Sequence, residues 1–175
     1  MPMPVAHGLL GAAVVLAFRP QFILSHEWKY LVAGAALGIC PDLDYIPSWF
    51  RLFGRGWHHD FTHSIIFSLL LGLAIAFVFN QRSVRASLMY GSAVLSHALL
   101  DFCLTATRGV EIFWPFSDER YKLGIENLME SAWRADTHQL SFGDLLRIST
   151  LEAIVFLPIL FIVLFLKHPK SELQD

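Results

Sequence analysis

The densest chemistry in the chain lies in Trp57-His58-His59-Asp60-Phe61-Thr62-His63-Ser64, which packs three imidazoles and a carboxylate into six residues. An unbroken apolar run begins directly after it, at Ile65. Membrane-helix ends seldom gather such groups without a cation or a proton to handle. His58 and His63 could ligate from a loop and from a helix start; His59 and His63 form the competing i,i+4 pair.

Three further sets carry the same donor types. His97 and Asp101 are spaced i,i+4, which puts both on one helical face. A buried Asp in a membrane helix costs about 2.5–3.5 kcal/mol on insertion scales, so it needs a partner. Asp42 and Asp44 alternate across a turn after Pro41. Two carboxylates that close repel unless a cation or protonation relieves them. His7 stands alone in an apolar segment. Each set has a plainer reading: a helix-internal His–Asp hydrogen bond, Asp-rich turn chemistry, or an interior histidine with a local partner. Together the sets offer imidazole and carboxylate without thiolate, a combination that suits Zn, Mn or Fe and can hold one or two divalent ions. Two ions about 3.5–4 Å apart would clamp a phosphoester oxygen and activate water.

The elements that must position these groups are membrane segments. Of the 175 residues 55% are hydrophobic and only 16% charged, against about 25% charged in a soluble domain. The formal net charge is −2 with no basic tract, which argues against nucleic acid as a partner. The expected fold is all-α: an integral membrane helical bundle of about five hydrophobic segments, read as one membrane-embedded domain over 1–175. The segments fall at 4–18, 30–40, 62–79 (with Thr62 or Asp60 as N-cap), 84–103 and 145–166; the first two are short for a hydrocarbon core of about 30 Å and form either a full hairpin or a shallow re-entrant one. The first lacks a basic n-region and an A-x-A site, so it reads as a retained helix. A polar insert at 105–143 precedes the last helix and is placed to cover the site side. Cys40 and Cys103 fit no CxxC pattern and read as free thiols, with a disulfide near the site as the sharper alternative.

Five spans bring His7, Asp42, Asp44, the 58–63 stretch, His97, Asp101 and the insert to one side of the bilayer. The opposite side receives Arg19, Lys29, Arg82, Arg85, Lys167 and Lys170 in short segments. By the positive-inside rule that side is cytoplasmic and the site faces outward.

The ordered set His7-Gly8, Pro41-Asp42-Leu43-Asp44, His58-x4-His63-Ser64, Ser96-His97-x3-Asp101, Thr105 and Gly109-Val110-x3-Trp114-Pro115-Phe116 resembles the LexA-binding, inner-membrane-associated hydrolase family of bacteria and archaea. More distantly it is similar to the zinc-dependent phospholipase C group. The resemblance covers residues 5–116 and implies a prokaryotic inner or plasma membrane protein with metal-dependent hydrolase chemistry. It carries the ligand role to His58 and His63, and maps His7, Asp42, Asp44, His97 and Asp101 onto the family's other polar positions. The family usually reads His-Arg-Gly-x-Thr-His; here His59 replaces the Arg and Asp60 the Gly, so a family Arg contact is missing and an extra ligand or base is present. His59-Asp60 also matches the bare dipeptide of the HD-domain phosphohydrolases.

The expected function is hydrolysis of a phosphoester in a lipid or lipid-linked substrate by metal-activated water. Asp60 or Glu111 would move the proton, and Arg108, Arg120 or Lys122 would hold the phosphate. Two other classes compete: a metal transporter or sensor, whose site would lie nearer the midplane, and a non-catalytic partner protein whose metal pins helices together.

Overall fold

The computed structural model describes residues 4–20, 24–44, 59–104, 109–123, 125 and 141–168. Among these the apolar runs form five α-helices and no strand: α1 (Pro4–Ala17), α2 (Leu24–Ile39), α3 (Ile65–Val78), α4 (Val84–Leu104) and α5 (Phe142–Lys167). Two 3₁₀ turns, Cys40–Asp44 and Phe61–His63, follow α2 and precede α3. The all-α class is as expected; the number of membrane spans is not. Only α4 and α5 are long and apolar enough to cross a bilayer among the described residues. Their 21 and 26 residues give roughly 31 and 39 Å of helix. The 14 residues of α1 and of α3 reach only about 21 Å, short of a hydrocarbon core of about 30 Å. Five apolar runs are therefore not five full spans.

Local signals explain the helix ends. Pro41 lacks the N–H that α2 would need to continue, and the chain tightens into the first 3₁₀ turn. The start of α3 lies later than the expected Asp60 or Thr62. Ser64 is the N-cap, its hydroxyl accepting the Phe67 N–H at 3.1 Å. Asp60 and Thr62 spend their side chains on Arg120 and Asp44 instead. A capping box opens α5, where Ser141 accepts from the Asp144 N–H and Asp144 accepts from the Ser141 N–H.

Small residues set the packing. A Cβ on Gly11 of α1 would lie 2.8 Å from the Cα of Gly38 on α2, and one on Gly72 of α3 would lie 2.5 Å from the Cα of Gly91 on α4. Both contacts bring backbones closer than any side chain permits, which is how helices associate where the surrounding solvent is as apolar as Leu. α1 packs against α2, α4 and α5, and α4 packs against α1, α2 and α3. The buried centre beneath the site contains Val15, Ala76, Met89, Tyr90 and Ala93.

Both ends of α1 are held by charges from other helices. Arg85, in the first turn of α4, donates to the Phe18 carbonyl just past the end of α1. At the other end Glu152 of α5, 1% exposed, accepts the Ala6 N–H at 3.0 Å. An anion at the N-terminus and a cation at the C-terminus both complement the helix dipole. On α5 the buried residues are Ile148, Glu152 and Phe156, a single stripe at i, i+4 and i+8 that meets α1. Beyond Phe156, α5 exposes Phe161, Ile162, Phe165 and Leu166, an apolar surface suited to lipid. Cys40 and Cys103 are free thiols, so no disulfide joins them.

Removing the Glu152 carboxylate orphans a buried N–H at the start of α1. Glu152→Ala is expected to cost about 1–3 kcal/mol, read as a lower melting temperature of the detergent-solubilised protein. Glu152→Gln keeps an acceptor and should lose less. Identical melting of Ala, Gln and parent proteins would show that the contact does not hold α1.

Candidate metal centre

Four elements converge at one end of α4. His97 and Asp101 stand one turn apart near its C-terminal end. Asp42 and Asp44 come from the 3₁₀ turn that Pro41 forces after α2. Thr62 and His63 come from the 3₁₀ turn before α3, and His7 from the second turn of α1. His7, His63, His97 and Asp101 are completely buried.

The tightest grouping is Asp42, His63, His97 and Asp101, one donor atom from each lying within 4.8 Å of every other. His63 Nε2 and His97 Nε2 are 3.1 Å apart. Asp101 Oδ2 is 3.3 Å from both nitrogens, and Asp42 Oδ1 is 3.3 Å from His97 Nε2 and 3.9 Å from His63 Nε2. Donors placed tetrahedrally at zinc–ligand distances lie about 3.3–3.4 Å apart. The observed spacings bracket that edge length.

Hydrogen bonds outside the group decide which way the imidazoles present themselves. His97 Nδ1 lies 2.7 Å from the Gly38 carbonyl, which can only accept, so Nδ1 carries the proton. Thr62 Oγ1 gives its one proton to Asp44 Oδ2 at 2.8 Å, so its lone pair takes the proton of His63 Nδ1 at 2.9 Å. In the neutral rings both Nε2 atoms then bring lone pairs to the centre. Burial holds the His63 imidazole below its ordinary pKa. Two lone pairs facing each other between two carboxylates repel unless a shared proton or a cation stands between them, and a divalent cation cancels the formal charge of −2. The donor set therefore fits a metal ion. Asp44 lies on the far side of His63, 3.7 Å from Nδ1, where it orients the ligand through Thr62.

Two more imidazoles border this group. His7 stacks on His97 with ring centroids 3.7 Å apart, and its Nε2 is 3.6 Å from Asp101 Oδ1. His59, 3% exposed, brings Nε2 to 3.5 Å from Asp101 Oδ2. Its backbone has φ of 71°, a left-handed conformation that costs a non-glycine residue energy. The Glu111 N–H, donated to the His59 carbonyl at 3.1 Å, helps to hold it there. The resemblance passed over His59; the structure brings it to Asp101. His58 lies outside the described residues.

The remaining expected site residues form a separate cluster nearer the surface. Arg120 pairs with Asp60, and its Nε lies 3.5 Å from Glu111 Oε1. Burial first, then the charge of Asp60, push the Glu111 carboxyl above its ordinary pKa, and Arg120 offsets part of this. Lys122 is exposed; Arg108 lies outside the described residues. The described part of the polar insert is tied to the site loop. Val110 and Tyr121 form an antiparallel bridge, and Ile65 donates to the Ile112 carbonyl. Sequence reasoning took Thr62 only for a helix cap and overlooked Glu152, although an isolated acid within an apolar helix is itself a signal.

A family model described as "YdjM inner membrane protein" matches residues 1–170. Inner membrane protein YbcI of Escherichia coli (strain K12) is 32% identical over 130 residues, covering 69% of this chain and 72% of that protein. No solved structure matches.

The Thr62 relay gives a direct expectation. Thr62→Val removes the hydroxyl that links Asp44 to His63 and should weaken divalent-ion affinity about 10–100-fold, the usual effect of losing a ligand's outer partner. Thr62→Ser should keep most of it. Equal ion affinity of the Val and parent proteins, by titration in detergent, would rule the relay out.

Proposed function

Because this chain belongs to the YdjM inner membrane protein family, and is thus a protein of the inner membrane, we propose that it is a metal-dependent hydrolase of that membrane. The ion is held by Asp42, His63, His97 and Asp101, and the substrate is a phosphoester in a lipid or lipid-linked molecule. The observation that carries the reading is the pair of Nε2 atoms 3.1 Å apart beside two carboxylates, an arrangement that a divalent cation satisfies. A divalent ion there would polarise a phosphoryl oxygen and lower the pKa of water. Zinc suits the donor set best, with manganese or iron next.

The chain's own residues divide the remaining work. Glu111, raised in pKa, and Asp60 are the candidates to carry a proton. Arg120 joins both carboxylates and, with Lys122 and Arg108, is the candidate to receive phosphate as those pairs rearrange. The exposed aromatics Phe113, Trp114 and Phe116 sit in the same insert, where headgroup-depth contact would present a lipid substrate. The site side is assigned to the extracytoplasmic face, on the short basic loops at the other ends of the helices.

A second reading has one specific observation in its favour. Four protein donors already complete a tetrahedral shell, as in structural zinc sites, whereas catalytic sites keep a position open. On that reading the ion pins α2, α4 and the turn before α3 together, and hydrolysis is absent.

Elemental analysis of the detergent-purified protein beside His63→Ala and Asp101→Ala tests the ion, and a phosphoester panel tests the chemistry. The expected result is stoichiometric metal that falls in both variants, with hydrolysis that falls in parallel. Metal without hydrolysis of any ester would leave the structural reading. No metal after reconstitution with zinc, manganese and iron would end both.

A further inference from the structure

His7 has no role in the four-donor group, and its surroundings are unusual. It is completely buried in α1, yet neither Nδ1 nor Nε2 has a hydrogen-bond partner. A buried imidazole left in that state forfeits the hydration of both nitrogens. Buried histidines ordinarily settle on a carbonyl, a hydroxyl or a carboxylate, as His97 does on Gly38 and His63 on Thr62. Glu152, which holds the N-terminus of the same helix, fixes α1 with His7 pointed at the centre.

The carboxylate of Asp101 relates His7 to the rest. Its Oδ2 faces His63 and His97 at 3.3 Å, while its Oδ1 faces His7 Nε2 at 3.6 Å. Its two oxygens thus address different partners. His59 comes to within 3.5 Å of Oδ2, the oxygen that also faces His63 and His97, from the loop before α3, held in its left-handed backbone conformation. The separation of His7 Nε2 from Oδ1 is close to the spacing of two donors on one ion, about 3.3–3.4 Å in a tetrahedral shell.

We infer that the centre is dinuclear: a second divalent cation is held by His7 and Asp101 Oδ1, with Asp101 as the carboxylate shared between the two ions. This rests on the first ion at Asp42, His63, His97 and Asp101. It also answers the objection from the closed shell. With only His7 and a shared carboxylate as protein donors, the second position keeps coordination free for water or a phosphoryl oxygen, as a hydrolytic site requires.

The test is ion counting and spin coupling, independent of any substrate. The full-length protein in detergent is stripped with a chelator and reloaded with manganese. Bound ions per chain are counted by elemental analysis, and the manganese electron paramagnetic resonance spectrum is recorded. The parent protein should take up two equivalents and show the exchange-coupled signal of neighbouring ions. His7→Ala should take up one, uncoupled, with affinity for the remaining ion within about tenfold of the parent's, the lower end of the range for losing an outer partner. His7→Asn, closer in shape, guards against misfolding of the Ala variant and should behave alike. Saturation of the parent at one equivalent would overturn the second site while leaving the first intact. So would a His7 variant that keeps the coupled pair, or one that loses both ions while melting normally; the latter would make His7 a ligand of a single ion. No uptake by the parent would overturn both ions together.

Discussion

Two imidazole nitrogens meet 3.1 Å apart in a buried place, each with its proton committed elsewhere. With both rings neutral that contact is repulsive, and the Asp42 and Asp101 carboxylates beside it add two negative charges. A positive charge at the meeting point turns every one of these interactions favourable. The rest of the structure can be understood as what is required to bring the four groups together from separate elements and hold them facing one another.

Close helix contact is the first requirement. The Gly38 carbonyl can reach His97 Nδ1 because α2 lies against α4, and α2 is placed in turn by glycine contacts with α1. The hydrogen bond that orients a ligand thus depends on residues chosen for having no side chain. The second requirement is that short turns, rather than regular helix, deliver Asp42 and His63. Pro41 and Ser64 mark where each helix gives way, and a 3₁₀ turn at each place turns its side chains towards α4. The third is a fixed α1, with Glu152 at one end and Arg85 at the other. Because Glu152 belongs to α5, a helix attached mainly along one stripe, the outermost span also bears on the centre.

Much of the site was legible because its chemistry is local: His97 and Asp101 share a turn, and Asp42 follows a proline that must end a helix. The apolar runs located all five helices. What they could not convey was helix length after the turns take their share. Residues 62–64 read as part of α3 but are spent on the 3₁₀ turn and the cap, and α3 falls short of a span. His58 and His59 stay alternatives in the sequence, because the direction of His59 depends on its positive φ, and nothing in its neighbours' identities announces that. Thr62 looked like a cap; its relay exists only once Asp44, 18 residues away, is beside it. Glu152 finds its partner 146 residues earlier in the chain, beyond any local pattern. Each of these depends on which elements meet, and that is decided by packing.

The central claim is the position of the first ion, and anomalous diffraction at the zinc edge from crystals of the zinc-loaded protein tests it most directly. The expected result is an anomalous peak bounded by His63 Nε2, His97 Nε2, Asp42 and Asp101, at about 2.0–2.2 Å from each donor. A fully loaded crystal with no peak among these four side chains would contradict it, and would leave the two histidines sharing a proton instead.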